Sequence, residues 1–317
     1  MTEPIRISLG GYQGPGSVHT RALSQLQDAI ERRTGGAVEV RIRANVAEDG
    51  HGTADLPDLV ESGQLDGCYI SSSYLSDRIQ ALSLFDMPFA VPDRDAALAL
   101  LDGALGARFA QEVEAHTGLV LLGIWDNGLR HISTADRPLH RPAQGKCLVL
   151  RTLPNADHQR AFRTLGFEPR VVDAKDLAGA VSRGEVDAQE NPLTNTYNFG
   201  LHETLPTITL TGHLMGIALL LFNRARLQAL PEAIRAAVRA AATEASRAQR
   251  ELAREDDAHC ARALLEAGAT MHHLTAEDRA AWRDAAEPEL ARSRARFDPD
   301  LLSLFQTGLE ARGRAPA

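Results

Sequence analysis

Residues 55–67, DLPDLVESGQLDG, return in kind at residues 176–188, DLAGAVSRGEVDA. The two share D-L-x3-V-x2-G-x-[LV]-D-[GA] at a separation of 121 positions. Each copy reads as a short helix stopped by glycine and followed at once by an aliphatic strand. Upstream, Arg33-Thr34-Gly35-Gly36 and Arg163-Thr164-Leu165-Gly166 stand 130 positions apart, each ending a helix before another strand. Working outward, the first copy closes the series strand 5–9, helix 18–33, strand 38–42, helix 55–61, strand 65–70. The second closes strand 148–151, helix 156–165, strand 168–172, helix 175–182, strand 186–189. Helical crossovers between short aliphatic runs demand parallel strands, so the fold class is α/β, with two similarly built lobes. The first copy carries nine more residues between its signatures, and they fall in the polar, glycine-bearing loop 44–52. Loops after strands are where open α/β sheets take ligands.

A helix at 95–117 and a strand at 119–125 continue the alternation. The character changes at Leu230. Residues 231–267 hold no Gly or Pro after Pro231, and Gly268 follows. Pro at the start and Gly just past the end mark one helix. At about 1.5 Å per residue it reaches roughly 55 Å, longer than one lobe is wide, so it should serve both. A strand at 270–273 and a last helix from Thr275, with Asp278 placed for a capping box, complete the expected fold. The expected division is 1–124 plus 213–250 for lobe I and 125–212 plus 251–317 for lobe II, bridged by helix 231–267.

The chain has 317 residues, 44% of them hydrophobic, enough for two cores. With 42 acidic and 34 basic residues, net charge −8 and no basic block, a nucleic-acid partner is not expected. No window approaches the roughly 18 apolar residues of a membrane span; the nearest is the short run 216–222. Residues 1–4 lead directly into a strand, with no charged and apolar export segment, so such a signal is either cut away or not encoded. Cys68, Cys147 and Cys260 match no zinc or redox spacing and read as small buried hydrophobes.

The stretch 123–192 is the most informative for chemistry. Trp125-Asp126-Asn127-Gly128-Leu129-Arg130-His131 closes one strand, and Leu148-Val149-Leu150-Arg151 closes another with arginine. A guanidinium fork grips both oxygens of a carboxylate at once, which lysine cannot do. The competing reading is an internal salt bridge, evenly matched for Arg151 and favoured for Arg130. Gln189-Glu190-Asn191-Pro192 groups three polar side chains where a strand stops, although an Asn-Pro turn explains Asn191 by itself. Ser71-Ser72-Ser73 offers hydroxyls after strand 65–70, or a plain hydroxyl turn. No nucleophile elbow, C-x-x-C, H-E-x-x-H, phosphate loop or dinucleotide fingerprint occurs. Gly10-Gly11-Tyr12-Gln13-Gly14-Pro15-Gly16 reads as a turn, and His272-His273 as neighbours facing opposite ways on a strand, so no metal site is expected.

Taken in order, several marks make the chain resemble the DctP-type solute-binding proteins of TRAP transporters over nearly its whole length. They are Thr34-Gly35-Gly36, Gly63-x-Leu65-Asp66, Leu84-Phe85-Asp86-Met87-Pro88-Phe89, Asn127-Gly128-Leu129-Arg130, Gly145-Lys146 through Arg151, Glu190-Asn191-Pro192 and Thr211-Gly212-His213. The resemblance implies a two-lobed receptor of the periplasmic-binding-protein kind, with hinge strands and a long helix spanning both lobes. It implies a periplasmic location, closure on a captured organic acid, and delivery to TRAP permease subunits, without cofactor or catalysis. The family's carboxylate-binding arginine falls on Arg151, its second cleft arginine on Arg130 and its cleft asparagine on Asn191, flanked by Glu190. A first-lobe polar contact falls near Ser71. Ala188 stands where the family has glycine, and loop 44–52 lacks its usual proline-glutamine-leucine-glycine.

Trp125, Asp173 and His131 join the expected ligand-binding set. Asp126, His131, Asp173 and the serines favour a ligand rich in hydroxyls, a sugar acid or hydroxy acid. Two rivals stand beside this reading. One is a two-domain enzyme acting on a sugar acid, with Glu190 or Asp173 as base and His131 as acid. The other is a ligand-sensing domain without a transport role. The ligand's identity, its affinity and the oligomeric state are not legible in the sequence.

Overall fold

The computed structural model describes residues 3–313. Its strands are β1 (Ile5–Gly10), β2 (Val38–Arg43), β3 (Gly67–Ser71), β4 (Leu119–Thr134), β5 (Val149–Thr152), β6 (Glu168–Val171), β7 (Ala188–Asn191), β8 (Thr207–Asn223) and β9 (Thr270–His273). The helices are α1 (Val18–Arg33), α2 (Leu56–Glu61), α3 (Arg94–Leu101), α4 (Ala104–His116), α5 (Ala156–Thr164), α6 (Leu177–Ser182), α7 (Leu193–Asn198), α8 (Arg224–Ala229), α9 (Glu232–Glu266), α10 (Ala276–Arg294) and α11 (Pro299–Gly313). Two compact units result: 1–71, 108–126 and 217–256 form the first, and 72–107, 127–216 and 257–317 the second.

The units are built alike. In the first, β2, β1 and β3 run parallel, and the last part of β8 pairs antiparallel with β3, Phe222 opposite Gly67. In the second, β6, β5 and β7 run parallel, and the last part of β4 pairs antiparallel with β7, His131 opposite Asn191. The repeated aspartate has the same duty in both. Asp66 bonds through its backbone N–H to the Ser8 carbonyl at 2.8 Å, and its carboxylate accepts the Ser8 N–H at 2.7 Å. Asp187 treats Val149 in the same way, at 2.8 and 2.9 Å. Gly63 and Gly184, at φ 79° and 69°, let each short helix turn back into its strand, a conformation other residues reach only with strain. The repeat is therefore structural: it sets the register of the third strand of each unit against the first. The nine-residue excess is shared, since β2 is longer than β6 and the connection after it carries a further 3-10 turn, Val46–Asp49.

Asp66 also receives the Ser8 hydroxyl at 3.2 Å and the Arg226 Nε at 2.9 Å, partners Asp187 does not match. Asp66→Ala should therefore cost about 2–3 kcal/mol and Asp187→Ala about 1 kcal/mol, as hydrogen bonds to a charged group accumulate. Urea unfolding of the two variants measures the difference.

Helix α9 begins after Pro231 and ends at Gly268, whose φ of 92° lets Ala269 N–H return to the Leu264 carbonyl at 2.9 Å. Its residues through Asp256 belong to the first unit and the remainder to the second. Strands β4 and β8 likewise give residues to both.

Several expectations need correction. The stretch 125–131 does not close a strand; β4 continues through it to Thr134. The helix expected at 95–117 is two, because Gly103 ends α3 and supplies the first carbonyl of α4. Residues 72–107 join the second unit instead of lobe I: Asp86 bonds to Asn155 and His158, and α3 packs on α11. The boundaries expected at 124/125, 212/213 and 250/251 fall at 126/127, 216/217 and 256/257. Cys68 and Cys260 are buried as expected, but Cys147 is exposed at φ 66°, in the turn where its N–H meets the Gly166 carbonyl. No helix among the described residues is long and apolar enough to cross a membrane.

Candidate functional site

Arg151 lies in β5 between Arg170 of β6 and Gln189 of β7, one residue before the strand ends. It is 1% exposed. Its Nε donates to the Val172 carbonyl at 2.9 Å, while its Nη2, equally buried, has no hydrogen-bond partner. Burial pulls this guanidinium below its ordinary pKa, and the fields of Tyr74, Glu190 and Asp173 offset part of that cost. A buried cation with an unmet donor is costly, and an anion placed on that donor removes the cost.

Arg130, on β4, meets a different fate. Its Nε donates to Glu190 Oε2 at 2.5 Å, and its Nη2 reaches Glu190 Oε1 at 2.9 Å, the Glu190 carbonyl at 2.8 Å and Asn191 Oδ1 at 3.2 Å. His213 Nε2 lies 3.4 Å from Glu190 Oε2. Burial alone would push the Glu190 carboxyl up, but the Arg130 charge, the nearby His213 ring and the hydrogen bonds from Arg130 hold it well below the usual carboxylate range. The internal salt bridge thus claims both Arg130 and Glu190. Asn191 belongs to the same network, donating to Gln189 Oε1 at 2.7 Å and accepting from Asn195 at 3.3 Å.

His131 accepts the Gly212 N–H on Nδ1 at 3.1 Å, which fixes a neutral ring. Burial, aided by His213, Arg279, Arg130 and Arg94, pushes its pKa down to about 3. The unfolded chain, with a histidine near 6.5, takes up this proton first as the pH falls. Stability that is present above pH 6.5 should therefore decline toward pH 3, by at most about 1.4 kcal/mol per pH unit for this group. A pH series of urea unfolding should show that decline flattened between pH 6 and 4 in His131→Gln.

Asp173 accepts the Lys175 N–H at 3.0 Å, opening a 3-10 turn next to the carbonyl that holds Arg151. The structure thus gathers Arg151, Arg130, Glu190, Asn191, His131 and Asp173 in the second unit. Ser71 and Trp125 lie in the first. Ser71, 3% exposed, ends β3 opposite Ala218. Trp125 is fully enclosed, stacked on His19 and Tyr69, and its indole N–H goes to Ser246 Oγ at 3.1 Å. Trp125 is thus packed within the first unit. Gly11, next to the same cluster, is obligatory, since a Cβ there would sit 2.3 Å from the Tyr69 ring.

The sequence reading missed His158, Asn155 and Tyr74 of the second unit. Asn155 was findable, because it stands before a helical run as an N-cap and accepts the His158 N–H at 2.9 Å. Among the described residues no group of three His, Cys, Asp or Glu is placed to hold a metal ion.

Comparison with known proteins defines the class first. The sugar acid binding protein DctPAm of Advenella mimigardefordensis, solved with galactonate, superposes with a TM-score of 0.93 over 98% of this chain and 99% of that one, at 21% identity. A TRAP periplasmic solute-binding protein of Polaromonas sp. JS666, bound to D-erythronate, gives 0.89 over 95% and 98%, at 25% identity. The fold is that of the two-lobed TRAP solute receptors. The family follows from sequence: the model for DctP, bacterial extracellular solute-binding protein, family 7, matches residues 9–296, and the chain belongs to that family. Curated relatives include the C4-dicarboxylate-binding periplasmic protein DctP of Rhodobacter capsulatus, 27% identical over 91% of this chain and 86% of that protein. An uncharacterized protein of Sinorhizobium fredii is 31% identical over 81% of this chain, which spans about half of its length (48%).

Proposed function

We propose that this protein is a periplasmic receptor that binds a small organic acid, a sugar acid or hydroxy acid, by its carboxylate and hands it to TRAP permease subunits. Arg151 is the anchor. The observation that carries the reading is its buried Nη2 without an acceptor, in a cluster where Glu190 is already committed to Arg130. With Glu190 committed to Arg130, a ligand carboxylate would be the acceptor that meets the remaining Arg151 donor. Asp173 serves a hydroxyl group, and the two units are the lobes of the receptor. Family membership and the acids bound by similar proteins, D-erythronate in one and a C4-dicarboxylate in another, support the class of ligand.

The enzyme alternative loses support from two of its three candidates, Glu190 and His131. A base needs a carboxylate free to accept a proton, and Glu190 is held ionised by Arg130; an acid needs a protonated His131, which is neutral far below pH 7. A thermal-shift screen of organic acids tests the reading. A ligand at 100 times its dissociation constant adds about 2.7 kcal/mol of stability. Sugar acids and hydroxy acids that leave the melting temperature where it is, while unrelated solutes raise it, would defeat the proposal.

A further inference from the structure

Strand register sets Arg151 beside Arg170 of β6 on one side and Gln189 of β7 on the other, and Gln189 in turn opposite Ser133 of β4. Residues paired across neighbouring strands leave the same face of a sheet, with strands about 4.8 Å apart, so these four side chains form one row. Arg170 cannot meet the free donor of Arg151, because a guanidinium only donates; its Nη1 goes to the Glu185 carbonyl at 2.6 Å. Gln189 carries an amide oxygen, is fully buried and is the neighbour in the ladder that could accept. Arg151 Nη2 nevertheless has no hydrogen-bond partner.

The Gln189 oxygen is engaged elsewhere, and a chain of hydrogen bonds fixes its direction. Arg130 can only donate, so its Nη2 draws the oxygen of Asn191, at 3.2 Å, and Asn195 Nδ2 donates to the same oxygen at 3.3 Å. Asn191 Nδ2 therefore faces Gln189, whose Oε1 receives it at 2.7 Å. Gln189 Nε2 is then turned to the Ser133 and Thr196 hydroxyls, at 2.6 and 3.3 Å. Reversing either amide would set donor against donor in a buried site. All of these residues belong to the second unit.

Resting on the reading of Arg151 as anchor, we propose that Gln189 is a positioning residue for the ligand: held by Asn191, Ser133 and Thr196, it keeps its oxygen from Arg151 and leaves that donor to a ligand that brings its own acceptor. The same device sets selectivity. A neutral amide at this place leaves the Arg151 charge to an anion, whereas a carboxylate there would meet it from within.

The test uses the full chain, calorimetry with galactonate, D-erythronate and succinate, and urea unfolding without ligand. For the acid that binds best, Gln189→Glu should weaken affinity at least about 30-fold, as if Arg151 itself had been lost, without lowering the stability of the unliganded protein. Gln189→Met, of similar length and a poor acceptor, should keep affinity within several-fold of the parent although it breaks the amide chain and lowers stability. A purely structural role would make methionine at least as damaging to binding as glutamate. Unfolding reads the new pair directly: Arg151→Met should destabilise the Gln189→Glu protein more than the parent, because it strands the introduced carboxylate. The proposal is overturned by a Gln189→Glu protein that fails to fold or shows no coupling to Arg151→Met, and equally by the same affinity loss in the methionine and glutamate variants. If the acids bind the parent and Gln189→Glu alike, this inference fails alone. If none of the three binds the parent, the functional reading fails, and the unfolding cycle still decides whether residue 189 meets Arg151.

Discussion

Arg151→Ala should lose about 2–5 kcal/mol of ligand-binding free energy, roughly 30- to 4,000-fold in affinity, as when one partner of a buried charge pair is truncated. Arg151→Lys should not restore it, because a point charge cannot present two parallel donors to a carboxylate. The companion result concerns the protein without ligand. Since Arg151 is buried with Nη2 unmet, Arg151→Met trades a costly cation for packing and gives up only the bond to the Val172 carbonyl. Its unfolding free energy should stay within about 1 kcal/mol of the parent. Calorimetry and urea titration of the three variants read both quantities. A methionine variant that is severely destabilised yet binds organic acids normally would assign Arg151 to folding instead of binding.

The opposite pattern is expected at the neighbouring arginine. Arg130→Met leaves Glu190 charged in an enclosed site without its guanidinium partner, and the cost should be about 3–5 kcal/mol of stability. Glu190→Gln should cost less, because the amide keeps an acceptor for Arg130 and carries no charge. The sign of the pH dependence follows from the depressed carboxyl. Above the unfolded value of about 4.3 the pair's contribution is fully present; it is lost as the pH falls toward the much lower folded value. Glu190→Gln should therefore flatten acid unfolding below about pH 4, where it overlaps the His131 effect only down to about pH 3. Equal acid sensitivity in parent and variant would show that the pair is not what acid breaks.

Much of this was legible before any coordinates. The parallel strands of both units follow from aliphatic runs separated by helices, and the repeated Asp66 and Asp187 mark the same strand start in each. Arg151 stood out as an arginine ending an aliphatic strand. What stayed hidden concerned partners. Arg130 and Glu190 are 60 positions apart and meet because β4 and β7 pair antiparallel, Ile132 opposite Glu190. A strand-end arginine that is spent on a carboxylate and one that is not look alike in one dimension. Trp125 stands next to candidate ligand residues in sequence, and its indole packs on His19 and Tyr69, which are distant in the chain.

By itself the sequence determined the α/β class, the two like-built units and the long helix α9, and it made Arg151 a candidate, since hydrophobic period, glycine stops and side-chain chemistry are local properties. Only the tertiary structure decided which arginine has its charge met, that residues 72–107 belong to the second unit, and that Asp86 meets Asn155 and His158. Those outcomes depend on hydrogen bonds and ion pairs between segments distant in the chain, whose energies exist only once packing has brought the groups within about 3 Å and excluded water.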